Sequence, residues 1–412
     1  MDIIVRSARV RGRPDCVDIG IDAGRIVAID DRIDDESEVS IDAGGMLTTE
    51  SFVNPHLHLC KVYTLDRMDE LALADYHGDQ MGKAMNAIEL AARVKSDYDA
   101  AWIVPNARKA VALAALHGNT HIRAFADVDT KARLEGINAL LQVRDEFAGT
   151  VDVQVVAFAQ DGLIREPGAS GLLREAMELG ADVVGGIPWI EFTEVDEQAH
   201  VDQIFDLAVE FDKPVSMLVD DAGDPGLRTL EMMAVKAIEK GWQGRALAHH
   251  ARAMALYPKP YLQKLAALLK AAGIGVVTDP HTGPLHARVR ELLDEGVLVC
   301  LGQDDVSDAY YPLGRNSMLE VAFLAVHLLW MTTAADMEKV FSMVTTDAAI
   351  GMGLADHRLE VGAPANLVVL SEPDVREALR THAAPAHVIS HGRTVDKRAM
   401  QTIVDTGGAD SP

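Results

Sequence analysis

Short apolar runs alternate with longer amphipathic stretches along the centre of this chain, and this alternation limits its possible folds more than any other feature of the sequence. The runs have the length and residue types of buried strands, and the stretches between them have the periodicity of helices. Strands that are apolar along their whole length are typical of a parallel sheet covered on both faces. We therefore predict a (β/α)8 barrel over residues 51–357, with strands at Phe52–His56, Thr120–Phe125, Val151–Phe158, Asp182–Ile187, Pro214–Val219, Ala246–His249, Gly275–Thr278 and Val297–Gly302.

Two other features complete the predicted organisation. The stretch 60–117 is longer than one crossover helix requires, so we expect extra helices over the barrel mouth there. Short β-rich runs at both ends of the chain predict a small β-sandwich built from residues 1–50 and 358–404. The Gly-, Asp- and Ser-rich residues 405–412 are expected to form a flexible tail. The end runs are Asp2–Arg6, Cys16–Ile21, Arg25–Asp30, Ala365–Leu370 and Ala386–Ser390.

Charge and cysteine content exclude several classes of function. A net charge of −25 argues against nucleic acids or anionic membranes as partners, because both require basic patches. No run approaches a membrane span in length, and we see no signal peptide. Three cysteines, an odd and sparse set, do not form a disulfide framework. We therefore expect a cytoplasmic protein.

A pair of histidines closes the first predicted barrel strand. His56 and His58 are two residues apart, so on a strand their side chains project from the same face. Two imidazoles at the end of a buried strand can supply half of a metal site. His-x-His alone is a weak signal. Its position strengthens it, because the C-terminal ends of barrel strands are where active sites form.

Three further clusters of acids or histidines follow other predicted strands. They are Asp220–Asp221 after the fifth strand, His249–His250 at the end of the sixth and Asp304–Asp305 after the eighth. Adjacent buried carboxylates repel each other unless a cation compensates, and a metal bound to Asp304 would do so. A helix N-cap or loop pair is the ordinary alternative for such acids. All these clusters are expected to converge at one mouth of the barrel.

Longer segments around these residues resemble the amidohydrolase superfamily. The similarity is to the branch of cytosine deaminases, which also holds enzymes acting on substituted s-triazines. It extends over nearly the whole chain. The segments that carry it are Phe52–Leu59, Val155–Gly162, Asp182–Pro188, Gly302–Val306, Tyr311–Gly314 and Gly362–Leu370.

The resemblance implies one divalent metal ion, zinc or iron, that activates a water for attack on a ring carbon bearing nitrogen. His56, His58 and Asp304 would be its ligands. His250 would hold or polarise the water or the developing oxyanion, and Asp221 stands at the acid/base position. Because relatives associate, the resemblance also implies a homo-oligomer.

The resemblance further implies which side chains bind the substrate. Gln160 and Asp305 would hydrogen-bond a flat nitrogen heterocycle, beside Lys61, which the family shares. Trp189, just after the fourth strand, could stack on such a ring, or serve as a core or interface aromatic instead.

Several positions depart from the family pattern. Leu218 stands where the fifth strand of the family ends in another metal-binding His. Asp221 replaces a Glu, which shortens the reach of the carboxylate by about 1.5 Å. Phe125 stands where a His often follows the second strand, and Cys60 replaces an Asp of the triazine-acting relatives. Because Phe125 and Leu218 are apolar, we expect a substrate more apolar than cytosine, or an N-alkylated one.

These departures leave three interpretations open. In the first, the metal is retained, weakly bound, with His250 or His281 completing its ligand set. In the second, the metal is lost, and Cys60 or an acid such as Asp221 or Asp304 carries altered hydrolytic chemistry. In the third, the chain is a catalytically silent paralogue that only binds a ligand. Retained buried acids and imidazoles argue against the third, because such groups cost stability without a partner.

Overall fold

A ring of eight parallel strands forms the centre of the computed structural model, which describes residues 1–67, 70–78, 81–354, 356–409 and 412. The strands in chain order are β1 (Ile3–Ala8), β2 (Val17–Asp22), β3 (Arg25–Asp30), β4 (Val39–Asp42), β5 (Thr48–Glu50), β6 (Phe52–Leu57), β7 (Asn119–Asp127), β8 (Asp152–Phe158), β9 (Val183–Gly186), β10 (Val215–Val219), β11 (Ala246–His250), β12 (Gly275–Thr278), β13 (Val299–Leu301), β14 (Leu367–Val369), β15 (His387–Ser390) and β16 (Arg393–Thr394).

Helices follow most of the barrel strands, as the alternation predicts. They are α1 (Glu70–His77), α2 (Ala84–Ala91), α3 (Ala100–Leu116), α4 (Glu135–Phe147), α5 (Ala169–Glu178), α6 (Glu194–Phe211), α7 (Thr229–Glu239), α8 (Lys259–Ala272), α9 (Val289–Asp294), α10 (Met318–Leu328), α11 (Ala334–Ser342), α12 (Thr346–Gly351), α13 (Val375–Thr381) and α14 (Lys397–Asp405). The extra helices expected within 60–117 are α1 and α2, together with the 3-10 helix Ala92–Asp97.

Strands β6 to β13 pair in chain order, and the first and last meet to close the barrel. At this seam the amide of Asp304 donates to the carbonyl of His56 at 2.9 Å, and the amide of His58 donates to the carbonyl of Asp304 at 2.8 Å. Backbone pairing therefore places three of the candidate ligands side by side. The predicted (β/α)8 barrel is confirmed.

The amphipathic pattern of the sequence predicts a helix over His200–Phe211, whereas α6 begins six residues earlier, at Glu194. Its extra turns are acidic and carry no amphipathic signal. The side chain of Thr193 caps them by accepting a hydrogen bond from the amide of Asp196 at 3.2 Å. Acidic residues in the first turn also interact favourably with the helix dipole. Capping and charge thus extend the helix where hydrophobic periodicity ends.

The two chain ends combine into a sandwich of two four-stranded sheets, ordered β3-β2-β1-β4 and β16-β15-β14-β5. Their facing side chains form a separate apolar core that includes Ile19, Ile41, Leu367 and Ile389. The fold class is therefore as predicted. The exact boundaries at 50/51 and 357/358 stay predictions.

The predicted flexible tail begins at Asp405, which is the last residue of α14, and the amide of Gly408 still donates to the carbonyl of Ile403 at 2.7 Å. Residues 410 and 411 lie outside the described residues. Cys16, Cys60 and Cys300 are unpaired thiols. Within the described ranges, no helix combines the length and apolar character that crossing a bilayer would demand.

Candidate active site

Four side chains from three strand ends gather at the C-terminal mouth of the barrel. His56 and His58 come from the end of β6, His250 from β11 and Asp304 from just after β13, and all four are at most 3% exposed. One nitrogen or oxygen from each lies within 4.8 Å of the others. The structure thus brings together the three predicted ligands and a fourth, His250.

The spacing of these atoms fits one tetrahedral metal ion. Oδ1 of Asp304 lies 3.0 Å from Nε2 of His56, 3.7 Å from Nε2 of His58 and 3.8 Å from Nε2 of His250. Four donors about 2.0–2.1 Å from a zinc ion would be about 3.3–3.4 Å apart, which lies within the measured range. Imidazole and carboxylate donors also suit zinc or iron.

Two of the candidate ligands, His56 and His250, are each oriented by a second group behind the imidazole, whereas Nδ1 of His58 has no hydrogen-bond partner among the described residues. Nδ1 of His56 shares a hydrogen bond of 2.8 Å with Nδ1 of His249, and Nδ1 of His250 shares one of 2.8 Å with the carboxylate of Asp279. Such contacts direct Nε2 toward the metal position and increase its basicity. Asp279 follows the seventh barrel strand and was missed in the sequence, although it obeys the same strand-end rule as the predicted acids.

Both histidines of the His249–His250 pair serve this site, whereas strand alternation predicts that only one faces inward. His250 has a φ of 67°, in the left-handed region, and Asp304 has the same value. The left-handed backbone conformation at His250 turns its side chain back toward the barrel axis. Non-glycine residues held in that region carry strain, which surrounding contacts must compensate and which is common at functional sites.

The electrostatics of the four side chains differ. Burial, and then the charge of nearby His250, holds the pKa of His56 well below its usual value; burial and Lys61 do the same for His58. Both imidazoles are therefore neutral, as metal ligands must be. For His250, burial opposes the charged form, but the neighbouring carboxylates outweigh it and raise its pKa to about 9, so this imidazole would have to lose a proton on binding a metal.

A buried arginine that the sequence analysis did not single out lies among the acids of this site. The guanidinium of Arg252 donates to Asp221 at 3.0 Å, contacts Asp304 at 3.4 Å and also binds Asp279 and the hydroxyl of Tyr76. Arg252 is only 1% exposed. It is a built-in counter-cation for three carboxylates that would otherwise repel one another. A single Arg in a turn has no motif signal that could have identified it.

The two members of the Asp220–Asp221 pair have separate tasks. The carboxylate of Asp220 accepts hydrogen bonds from Thr229 and Tyr257, at 2.7 Å each, and secures the start of α7. Asp221 faces the cavity, with Oδ2 4.0 Å from Nε2 of His250. Burial raises its pKa. Asp221 is thus the member of the pair that lines the cavity.

The predicted substrate-binding groups lie on the other side of the cavity. Nζ of Lys61 donates to Oε1 of Gln160 at 2.9 Å, which leaves the amide NH2 of Gln160 as a donor for a ligand. The carboxyl group of Asp305 is buried, lines the cavity and shares a side-chain hydrogen bond with Asp308. Burial and the charge of Asp308 raise the pKa of Asp305 well above its usual value. Asp305 and Gln160 can therefore present both donors and acceptors to a ring edge.

The cavity between these groups is small. Its open volume is about 20 Å³, enough for one water molecule. Leu218, at the position of the missing histidine, forms an apolar wall with Ile88 and Ile187. The complete lining is His58, Lys61, Tyr76, Ile88, Gln160, Ile187, Leu218, Asp221, His250, Asp304, Asp305 and Tyr310.

Two aromatic residues do not take the places expected for them. Trp189 lies beside Arg165 and Phe192 in an outer cavity of about 380 Å³ rather than in the central one, so stacking on a ring bound there is not supported. Phe125 packs beneath the candidate ligands, with its ring 4.4 Å from that of His56 and 5.4 Å from that of His58. It supports the imidazoles instead of lining the cavity.

His281 is not brought to the candidate metal position. Its Nε2 lies 3.2 Å from the carbonyl of Gln303, and its ring packs against Tyr311 at 5.4 Å. His250, and not His281, is therefore the histidine that lies with His56, His58 and Asp304 in the group of potential ligands.

The structure does not support Cys60 as a nucleophile. The 3-10 helix Leu59–Lys61 turns the side chain away from the imidazoles, so that Sγ accepts a hydrogen bond from the amide of Asp127 at 3.4 Å and contacts the hydroxyl of Tyr98. Burial, followed by the charge of Asp127, raises the pKa of the thiol to about 12. The reactive thiolate is therefore not formed near neutral pH.

We predict that Cys60→Ala keeps most of the hydrolytic activity, because the thiol fills space in the core and takes no part in chemistry. Steady-state kinetics with any N-substituted heterocycle that the protein hydrolyses would measure this. Cys300→Ala, which removes the other fully buried thiol, is the matched control. A thousandfold loss confined to Cys60→Ala would instead favour the metal-free interpretation.

Comparison with known proteins agrees with this architecture. The sequence profile described as the Amidohydrolase family matches residues 39–396. N-isopropylammelide isopropyl amidohydrolase of Pseudomonas sp. (strain ADP) is 29% identical over 399 residues, which cover 96% of this chain and 97% of that protein.

Solved structures give the same result. A 5-methylcytosine deaminase from Klebsiella pneumoniae liganded with 5-fluorocytosine is 31% identical, with a TM-score of 0.87 over 96% of this chain and 97% of that one. N-isopropylammelide isopropylaminohydrolase from Burkholderia multivorans is 26% identical, with a TM-score of 0.84 over 96% and 98%. The chain belongs to the amidohydrolase family.

Proposed function

We propose that this protein hydrolyses a C–N bond of a small nitrogen heterocycle with the help of one divalent metal ion, zinc or iron. The observation that carries the proposal is the gathering of His56, His58, His250 and Asp304 within 4.8 Å, beside ring-binding groups in an enclosed cavity. The named activities of the relatives, release of an amine or of ammonia from such rings, support it.

The four gathered side chains would hold the metal. When bound, it supplies a Lewis acid that makes water a nucleophile at neutral pH. Because the set includes His250 in place of the missing strand-five histidine, this imidazole is a ligand in the proposal and no longer the group that polarises water. Asp279 keeps it in the required orientation through the 2.8 Å hydrogen bond.

Asp221 would transfer the proton in this reaction. Its carboxylate faces the cavity next to the ligand cluster. Arg252 donates to Oδ1 at 3.0 Å, and Oδ2, which lies 4.0 Å from Nε2 of His250, is the oxygen that would take a proton from the attacking water. The same group can then deliver the proton to the departing nitrogen. A raised pKa, caused by burial, suits a carboxylate that must be protonated for part of the cycle.

Gln160 and Asp305 would orient the substrate ring. The amide NH2 of Gln160 and the carboxyl group of Asp305, which both line the cavity, can bind complementary positions on a ring edge. The opposite wall, of Ile88, Ile187 and Leu218, offers nothing polar to a ring substituent. We therefore propose a ring with an N-alkyl or otherwise apolar substituent, as in the isopropylamino compounds named for two relatives.

The direct test is a screen for amine and ammonia release. Protein purified without a metal-chelating column would be loaded with zinc or iron(II) and incubated with pyrimidines, N-alkylamino triazines and pterins. We expect release from at least one N-substituted ring, lost on chelation and restored by metal. Binding of these compounds without release, at full metal loading, would favour the silent-paralogue interpretation.

We further predict that Ile88→Ala raises kcat/KM for bulky N-alkyl substrates by about tenfold relative to small ones. A cavity of about 20 Å³ does not admit a heterocycle, so α2, which carries Ile88, has to yield on binding. A difference of one methylene between substrate and pocket changes the preference for one substrate over another by about 1–3 kcal/mol. The matched control is Ile238→Ala on α7, where the side chain is 38% exposed. Equal kinetics for both variants would show that Ile88 does not limit access.

A further inference from the structure

A second group of metal-binding side chains lies at the opposite end of the barrel. His121 and Asp152 stand at the N-terminal ends of β7 and β8, directly opposite each other in the parallel pairing. His391 comes from the small domain, in the turn between β15 and β16. Three distant parts of the chain therefore meet at the boundary between barrel and sandwich.

The distances within this group match those of a shared cation. Oδ2 of Asp152 is 3.0 Å from Nε2 of His391 and 3.6 Å from Nε2 of His121. The three ligand atoms all lie within 4.8 Å of one another. Donors on a tetrahedral zinc ion would be about 3.3–3.4 Å apart. The group thus has the same internal spacing as the cluster at the mouth.

Neighbouring residues fix the imidazole of His121 and the backbone turn that carries His391. Nδ1 of His121 shares a 2.8 Å hydrogen bond with the hydroxyl of Thr120, which in turn is bonded to the hydroxyl of Ser51. With the proton on Nδ1, Nε2 of His121 presents its lone pair to the group. The turn that carries His391 is held by a 2.7 Å hydrogen bond from its own amide to Oδ1 of Asn366.

The site is also accessible. The side chain of His121 is 8% exposed, whereas those of Asp152 and His391 are 44% and 34% exposed. A cation can therefore enter from solvent and keep water in its remaining positions. Two imidazoles and one carboxylate favour zinc and similar transition metals over calcium or magnesium, which prefer oxygen donors alone.

We propose that His121, Asp152 and His391 form a second divalent-cation site of the zinc class, which ties the small domain to the base of the barrel. This site is structural and separate from the proposed catalytic metal, because it lies at the opposite ends of the strands. Binding there stabilises the folded chain, since the unfolded chain does not bring the three residues together.

The test is a zinc titration of purified apoprotein against a chromophoric chelator, with the thermal midpoint recorded in parallel. His391→Ala is expected to bind one zinc fewer per chain than the wild type and to lose the zinc-dependent rise in midpoint that this site contributes. Asp152→Asn keeps the size of the side chain and is expected to show the same loss of one zinc and of the rise in midpoint. It therefore tests the site even if His391→Ala folds poorly. His387→Ala, an exposed histidine in the same strand region, is the control and should bind as the wild type does.

The outcome separates this site from the one at the mouth. His58→Ala is expected to retain the zinc bound by His121, Asp152 and His391, whether or not the proposed catalytic metal exists. Equal zinc stoichiometry and affinity in wild type, His391→Ala and Asp152→Asn would overturn the proposal and leave a plain ion pair between His391 and Asp152.

Discussion

His58→Ala is expected to remove the metal at the barrel mouth and to lower kcat/KM by about 10³-fold or more. The variant deletes one of the four proposed ligand atoms, which lie within 4.8 Å of each other. A Lewis acid contributes several kcal/mol to transition-state stabilisation, and each 1.36 kcal/mol is worth about tenfold in rate. Elemental analysis and amine-release kinetics on the same sample would measure both effects.

The matched control for this experiment is His327→Ala. His327 is exposed on α10 and bonds only to the backbone of its own helix, at Phe323, among the contacts of the described residues. Its removal should change neither metal content nor rate. A His58→Ala protein that is folded, retains its full metal content and turns over normally would show that His58 is not a ligand.

Arg252→Met is expected to produce the largest loss of stability, about 3–5 kcal/mol in the metal-free protein, because it leaves buried charges uncompensated. Arg252 is 1% exposed and lies against Asp221, Asp279 and Asp304. Methionine fills similar volume, so the effect reports charge rather than a cavity. Urea denaturation in the presence of a chelator would measure it.

Two comparisons sharpen that measurement. Arg174→Met breaks an exposed ion pair with Glu210 on the surface and should leave the denaturation midpoint nearly unchanged. Zinc should restore part of the stability of Arg252→Met, because a cation at the mouth again balances the acids. An Arg252→Met midpoint equal to that of the wild type would mean that the acids are protonated and need no counter-cation.

The barrel and the meeting of His56, His58 and Asp304 follow from sequence alone. The eight apolar runs predict parallel strands, and parallel strands in a barrel put their C-terminal ends at one mouth. Seam pairing between β6 and the end of β13 then fixes the ligands through backbone hydrogen bonds. The apolar pattern of the strands and the topology of the barrel both place His56, His58 and Asp304 at the C-terminal mouth. This agreement explains why their meeting could be predicted.

Arg252 and the direction of Cys60 could not be predicted in the same way. The partners of Arg252 are distributed over several strand ends and α1, so only the closed barrel shows that one guanidinium serves three acids. The position of Cys60 depends on a short 3-10 turn that has no strong sequence signal. The inward turn of His250 depends on a backbone twist, a φ of 67°, that strand alternation does not describe.

The most direct test of the central claim is a crystal structure of zinc-loaded protein with anomalous diffraction data on both sides of the zinc edge. We predict a peak at the barrel mouth about 2.0–2.2 Å from Nε2 of His56, His58 and His250 and from a carboxylate oxygen of Asp304. The absence of a peak there, in crystals grown and soaked with excess zinc, would contradict the proposed metal site.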